Sequence, residues 1–103
     1  MTGSNTNYLN GSWKTDSESN VPIYDGGFLL GDGLFETIRF DNRKLFHVEK
    51  HLKRLFEGLN IIRIKIRKSP AEITLLLEEI IHQNSIQSGL LRLMVTRGVV
   101  EGP

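Results

Sequence analysis

Arg39, Arg54 and Arg92 are the side chains of this sequence best suited to hold an anion. A guanidinium offers N–H donors in a planar fork that matches carboxylate and phosphate oxygens. Arg54 shares one stripe of a helical segment with His51 and Gly58, apart from that segment's apolar stripe, and this set suits a single phosphate dianion. Arg39 and Arg92 lie on extended segments and suit carboxylates. Arg39 also closes the run Gly31-Asp32-Gly33-Leu34-Phe35-Glu36-Thr37-Ile38-Arg39, a small-residue turn leading into an alternating strand. Gly31 and Gly33 permit positive φ and close approach of another group to the main chain. The strand puts Phe35, Thr37 and Arg39 on one face and Leu34, Glu36, Ile38 and Phe40 on the other. The second face is mostly apolar and joins a core, while the first displays an aromatic ring, a hydroxyl and a guanidinium.

Other chemistries find less support. His47 and His51 are four apart but straddle a strand–helix junction, and His82 is remote, so no metal site is expected. No glycine-serine-glycine elbow is present to activate a nucleophile. The glycines of Gly26-Gly27 and Gly31-Asp32-Gly33 match neither a Rossmann nor a Walker pattern. Between Glu49 and Lys68 there are seven Lys or Arg against two Glu, a local excess of five positive charges. The whole chain carries only +1, and no aromatic residues interleave the run, so a solvated basic face explains it better than nucleic-acid binding.

The elements that position these residues follow from periodicity. With 103 residues and 39% hydrophobic content the sequence supports one modest core, so residues 7–103 read as a single domain behind a small, polar, disordered stretch at 1–6. The absence of cysteine rules out a disulfide scaffold. No apolar run is long enough to span a bilayer and no signal-peptide pattern opens the chain, which favours a cytoplasmic protein without a membrane partner. Tyr8-Leu9 and Ser12-Trp13 flank Asn10-Gly11, a pair suited to a type I′ hairpin turn. Val21 to Tyr24 reads as a short extended piece, and Phe28-Leu29-Leu30 as one helical turn. Leu34 to Phe40 and Lys44 to His47 form a second hairpin.

Val48, Leu52, Leu55, Phe56 and Leu59 fall on one helical stripe. Ile62, Ile64 and Ile66 alternate with Arg63, Lys65 and Arg67, an extended pattern with a basic outer face. Ser69-Pro70-Ala71-Glu72 is a capping box with proline at the first helical position, and the helix runs to about Asn84 with Ile73, Leu76, Leu77, Ile80 and Ile81 buried. Leu90 to Thr96 is the most apolar strand and is expected at the centre of the sheet. The order predicts an α+β fold: an antiparallel sheet with helices packed on one face. The loop that begins at Arg97-Gly98 leads nowhere before Pro103, as in a truncated chain.

The run from Gly31 to Arg39, the hairpin after it, and His51-Leu52-Lys53-Arg54-Leu55 together resemble the amino-terminal domain of the class IV, or fold-type IV, pyridoxal-phosphate enzymes. These are the branched-chain and D-amino-acid aminotransferases and aminodeoxychorismate lyase. The resemblance extends from about Tyr8, through Asp25-Gly26-Gly27-Phe28, to Val95-Thr96-Arg97-Gly98. It implies the smaller, amino-terminal domain of a two-domain enzyme that binds pyridoxal 5'-phosphate, pairs as a homodimer, and transfers an amino group between an amino acid and a 2-oxo acid. Arg54 matches the arginine that holds the cofactor phosphate. Phe35, Thr37 and Arg39 match the strand face lining the substrate pocket, Leu30 a position where relatives place an aromatic residue, and Arg92 an arginine near the substrate carboxylate.

Two departures are mild: Gly26 stands where an arginine is frequent, and Gly58 where a serine is usual. The larger one is that the family's Schiff-base lysine belongs to a second domain beyond Pro103, and no lysine here replaces it. On this reading the chain holds no catalytic residue and is inactive alone. Thr37, where branched-chain relatives more often have glycine, keeps aminodeoxychorismate lyase, which forms 4-aminobenzoate, as an alternative. A non-catalytic binding or dimerisation module is the alternative of another class.

Overall fold

The computed structural model describes residues 5–100. Most of the amino-terminal stretch expected to be disordered therefore lies outside the described residues, as does the end of the final loop. Thr6, assigned to that stretch, instead opens β1 (Thr6–Leu9), which pairs antiparallel with β2 (Ser12–Thr15). Asn10 and Gly11 both take positive φ in the turn, as a type I′ hairpin requires. Tyr8 and Trp13 face each other edge to face, 5.1 Å between ring centres.

Val21 to Tyr24 does not form a strand. Pro22 starts a turn instead, closed by the Asp25 amide donating to the Pro22 carbonyl at 3.0 Å. Proline's fixed φ and missing N–H suit that turn better than a ladder. The apolar triplet sits in α1 (Gly26–Leu30), capped by Asp25, whose carboxylate accepts from the amides of Gly27 and Phe28. Gly31 ends α1 in the left-handed region at φ 65°. Gly33 serves close approach: a β-carbon there would lie 2.5 Å from the Val95 carbonyl oxygen.

β3 (Gly33–Asp41) turns through Asn42-Arg43 into β4 (Lys44–Leu45), shorter than the expected return strand. Beyond β4 the Phe46 amide still donates to the Arg39 carbonyl at 2.8 Å, and the chain turns away from β3 at His47, which takes left-handed backbone, φ 54°, to start α2 (Val48–Ile61). The Ile62–Ile66 stretch keeps its alternation, with Ile64 buried and its basic neighbours exposed, but joins no strand. Ser69 and Glu72 cap α3 (Pro70–Asn84) reciprocally, and Ile73, Leu77 and Ile81 are buried along it, with Leu76 and Ile80 half-buried. Gly89–Thr96 forms β5.

The strands make two antiparallel sheets rather than one: β1-β2, and β4-β3-β5. The central strand is β3, not β5 as its apolar content suggests. Leu91, Leu93 and Val95 of β5 pack on the core, but Leu90 and Met94 on its other face are exposed, so its apolarity serves two faces and not two strand neighbours. α2 covers the face of β3 that carries Ile38, and α3 packs against α2 and against β1. Asn84 ties β1 to the end of α3, accepting from the Thr6 amide and donating to the Thr6 carbonyl. The core joins Ile38, Leu52, Leu55, Leu59, Ile64, Ile73 and Leu77. Each such side chain is stabilised by about 1.5–3 kcal/mol on leaving water. This is the expected α+β fold with helices on one sheet face. Among the described residues no helix is long and apolar enough to cross a membrane.

Candidate functional site

Alternation along β3 sends Glu36 to the helix-covered face between Leu34 and Ile38. A carboxylate placed there must be paired, because an isolated buried charge costs far more than one domain can offset. Two residues of α2 pair it. Arg54 donates from Nε to one carboxylate oxygen at 2.9 Å and from Nη2 to the other at 2.7 Å. His51 Nδ1 lies 2.7 Å from the oxygen that Nη2 also meets. Glu36 is 6% exposed at its side chain, while the Arg54 side chain is 73% exposed. The hydrogen bonds from Arg54 hold the Glu36 carboxyl below the usual range against the opposing effect of burial, and His51 lowers it further. Arg54 is in turn raised, first by the hydrogen bond to Glu36 and then by its charge.

The fork expected to meet an anion thus has one edge turned inward. A guanidinium carries five N–H donors, and Glu36 takes two of them. What remains is the end-on edge formed by Nη1 and the second N–H of Nη2. Arg54 also lines, with His47, Lys50 and His51, a shallow depression of about 370 Å³. Every lining residue is cationic or protonatable, which suits a small dianion such as a phosphate ester. Gly58, one turn beyond Arg54, lets Leu34 pack against the helix: a β-carbon there would lie 2.6 Å from Leu34 Cδ1.

On the opposite face of the sheet the register sets Phe35 against Met94, Thr37 against Arg92, and Arg39 against Leu90. Phe35, Thr37, Arg39 and Arg92 therefore share one surface, which no helix covers among the described residues. Arg92 lies over the Phe35 ring, its guanidinium carbon 4.8 Å from the ring centre, and Arg39 lies 5.5 Å over Phe46. Leu30 is on a different element, exposed at the end of α1. The structure gathers the four strand residues but puts Arg54 on the other side of β3. β4 pairs only with Phe40 and Asp41, so among the described residues the β4-side edge of β3 is open from Gly33 to Ile38.

Glu36 is the residue that sequence reading passed over, by counting it with an apolar face. The signal was present: one acid on a core-facing strand side, and an arginine and a histidine displaced from a helix's apolar stripe. A second set of bonds fixes the approach to β3. Thr96 donates to Asp25 at 2.8 Å, and Arg97 pairs with Asp32 at 2.5 Å while donating to the Ile62 carbonyl at 2.7 Å.

The family model of amino-transferase class IV matches residues 33–101, and the chain belongs to that family. It is 36% identical over 94 residues to a D-alanine aminotransferase of Staphylococcus aureus, an alignment covering 91% of this chain and 33% of that protein. Its fold superposes on the branched-chain amino acid aminotransferase of Escherichia coli with a TM-score of 0.88 at 23% identity, covering 96% of this chain and 34% of that one. A Legionella pneumophila structure with a provisional 4-amino-4-deoxychorismate lyase name superposes with a TM-score of 0.78 at 25% identity, covering 85% and 32%. The chain thus spans about a third of the length of the relatives it matches.

Proposed function

We propose that these residues form the amino-terminal part of a pyridoxal-phosphate-dependent aminotransferase that acts on a D-amino acid or a branched-chain amino acid with a 2-oxo acid. The observation that carries the reading is the open edge of Arg54 in a depression of basic side chains. The residues fit a cofactor phosphate: the charge is of the right sign, the donor edge meets no partner among the described residues, and the guanidinium is held by Glu36 on its other edge. When bound, pyridoxal 5'-phosphate supplies an electron sink that lets an amino acid lose its α-proton.

The chain's own residues bind and orient. Arg54 receives the phosphate, with His51 and Lys50 adding positive charge. On the outer face Arg92 or Arg39 receives the substrate carboxylate, Phe35 and Thr37 form the wall beside it, and Leu30 borders it from α1. A homodimer closes the pocket over this uncovered face, and the enzyme works in the cytoplasm. The lysine that links the cofactor lies elsewhere in the full-length protein.

The test is turnover by the full-length protein with pyridoxal phosphate, offered D-alanine or branched-chain L-amino acids with 2-oxoglutarate. Amino transfer to the 2-oxo acid supports the reading. Turnover of aminodeoxychorismate to 4-aminobenzoate in its place gives the lyase reading, which Thr37 favours. Failure to bind pyridoxal phosphate, with no turnover of either kind, returns the chain to a binding or dimerisation module.

A further inference from the structure

We propose that Glu36 is the positioning residue of the anion site, fixing the guanidinium of Arg54 so that its end-on edge faces the incoming phosphate. The proposal rests on the reading of Arg54 as the phosphate-holding residue. An exposed arginine otherwise samples many rotamers, and ordering it on binding costs affinity. Here the order is built in beforehand. Glu36 is buried on the strand, it meets both Nε and Nη2, and His51 Nδ1 meets the same carboxylate at 2.7 Å, a third contact that opposes its rotating away. His51 is one turn before Arg54 on α2, so strand and helix are locked at the point where the anion arrives.

Electrostatics alone predicts the reverse of positioning, and that makes the idea testable. Glu36 is an anion behind the site, so removing its charge makes the depression more positive and by itself tightens phosphate binding. If positioning dominates, Glu36→Gln in the full-length apo-protein weakens pyridoxal 5'-phosphate binding about tenfold, the scale of a lost charged hydrogen bond. Affinity for pyridoxal, which lacks the phosphate, stays unchanged. Combined with Arg54→Ala, Glu36→Gln adds no further loss, since it acts through that arginine. Fluorescence titration of both ligands reads all three.

Glu36→Asp keeps the buried charge but shortens the reach, and stands in if the Gln variant folds poorly. It is expected to weaken pyridoxal phosphate and spare pyridoxal. Unchanged or tighter phosphate-dependent binding in these variants overturns the proposal, as does an equal loss for both ligands. If Arg54→Ala itself leaves pyridoxal phosphate affinity intact, the phosphate reading of Arg54 falls, and the role of Glu36 falls with it. Loss on Arg54→Ala with none on Glu36→Gln or Glu36→Asp removes the positioning role alone.

Discussion

The guanidinium of Arg92 lies over the ring of Phe35, one strand away, its central carbon 4.8 Å from the ring centre, so an aromatic face meets the cation on the sheet face away from α2. Such contacts contribute about 0.5–1 kcal/mol at exposed sites and more when water is excluded. Arg92→Ala in the full-length protein is expected to raise KM for the amino-acid donor about tenfold or more while leaving pyridoxal phosphate affinity unaltered. Phe35→Leu removes the stack and is expected to raise KM less. Steady-state kinetics beside cofactor titration separates the two effects. A matching loss of cofactor affinity in Arg92→Ala contradicts the division of labour between the sheet's faces.

Arg54→Ala is expected to lower pyridoxal phosphate affinity by about tenfold to a hundredfold, the range of charged hydrogen bonds to a phosphate. Arg54→Lys restores charge without the two-edged plane, so it recovers only part of the loss. Equilibrium titration of the apo-protein measures both.

The Glu36 pair also sets an acid dependence of stability. Arg54 holds the carboxyl below its unfolded value of about 4.3, so the stabilisation is complete above that pH and is lost as pH falls through the lowered native value. Glu36→Gln is therefore least stable relative to the parent above about pH 4.3, and the gap narrows below it. Urea midpoints measured between about pH 2 and pH 7 give the comparison. A gap that stays constant through the acid range places the effect outside this pair.

Gly58 separates two opposing contributions. Alanine gains about 1 kcal/mol of helix propensity over glycine, but its β-carbon displaces Leu34. Gly58→Ala alone is expected to change stability by less than about 1 kcal/mol, because the obstructing atom is the end of a flexible side chain. Introduced into Leu34→Ala, the same substitution is expected to stabilise by about 0.5–1 kcal/mol relative to Leu34→Ala. Thermal or urea unfolding of the four proteins completes the cycle.

Two structural substitutions calibrate the rest. Ser69→Ala removes the cap of α3 and is expected to cost about 1 kcal/mol. Leu55→Ala empties the centre of the core, where the side chain is almost wholly buried, and is expected to cost about 2–5 kcal/mol. Both are read from urea midpoints.

Local rules carried much of the fold. Asn10-Gly11 needs positive φ, Ser69 to Glu72 satisfies orphan amides at a helix start, and the stripe of Leu52, Leu55 and Leu59 repeats with the helix turn. Each signal acts within a few residues, so the sequence displays it directly. The motifs at Gly31–Arg39 and His51–Leu55 likewise marked the family. Where the pattern misled, the deciding partner was distant in sequence. β5 reads as central because apolar content records burial without saying on which side, and the alternation of Ile62–Ile66 reads as an extended piece without deciding whether it joins a ladder.

What the sequence determined by itself is the set of elements, the two faces of β3 and the three arginines, because strand and helix periodicity alone assign a side chain to a face. What only the tertiary structure decided is which charges meet. Glu36 is 18 residues from Arg54 and 15 from His51. Packing of α2 on β3 brings them together, and burial of the carboxylate makes their pairing obligatory. That one contact turns Arg54 from a surface cation into an oriented donor and separates it, by the thickness of a strand, from Phe35, Thr37, Arg39 and Arg92. Neither outcome is encoded in local spacing, because both depend on which helix covers which face of the sheet.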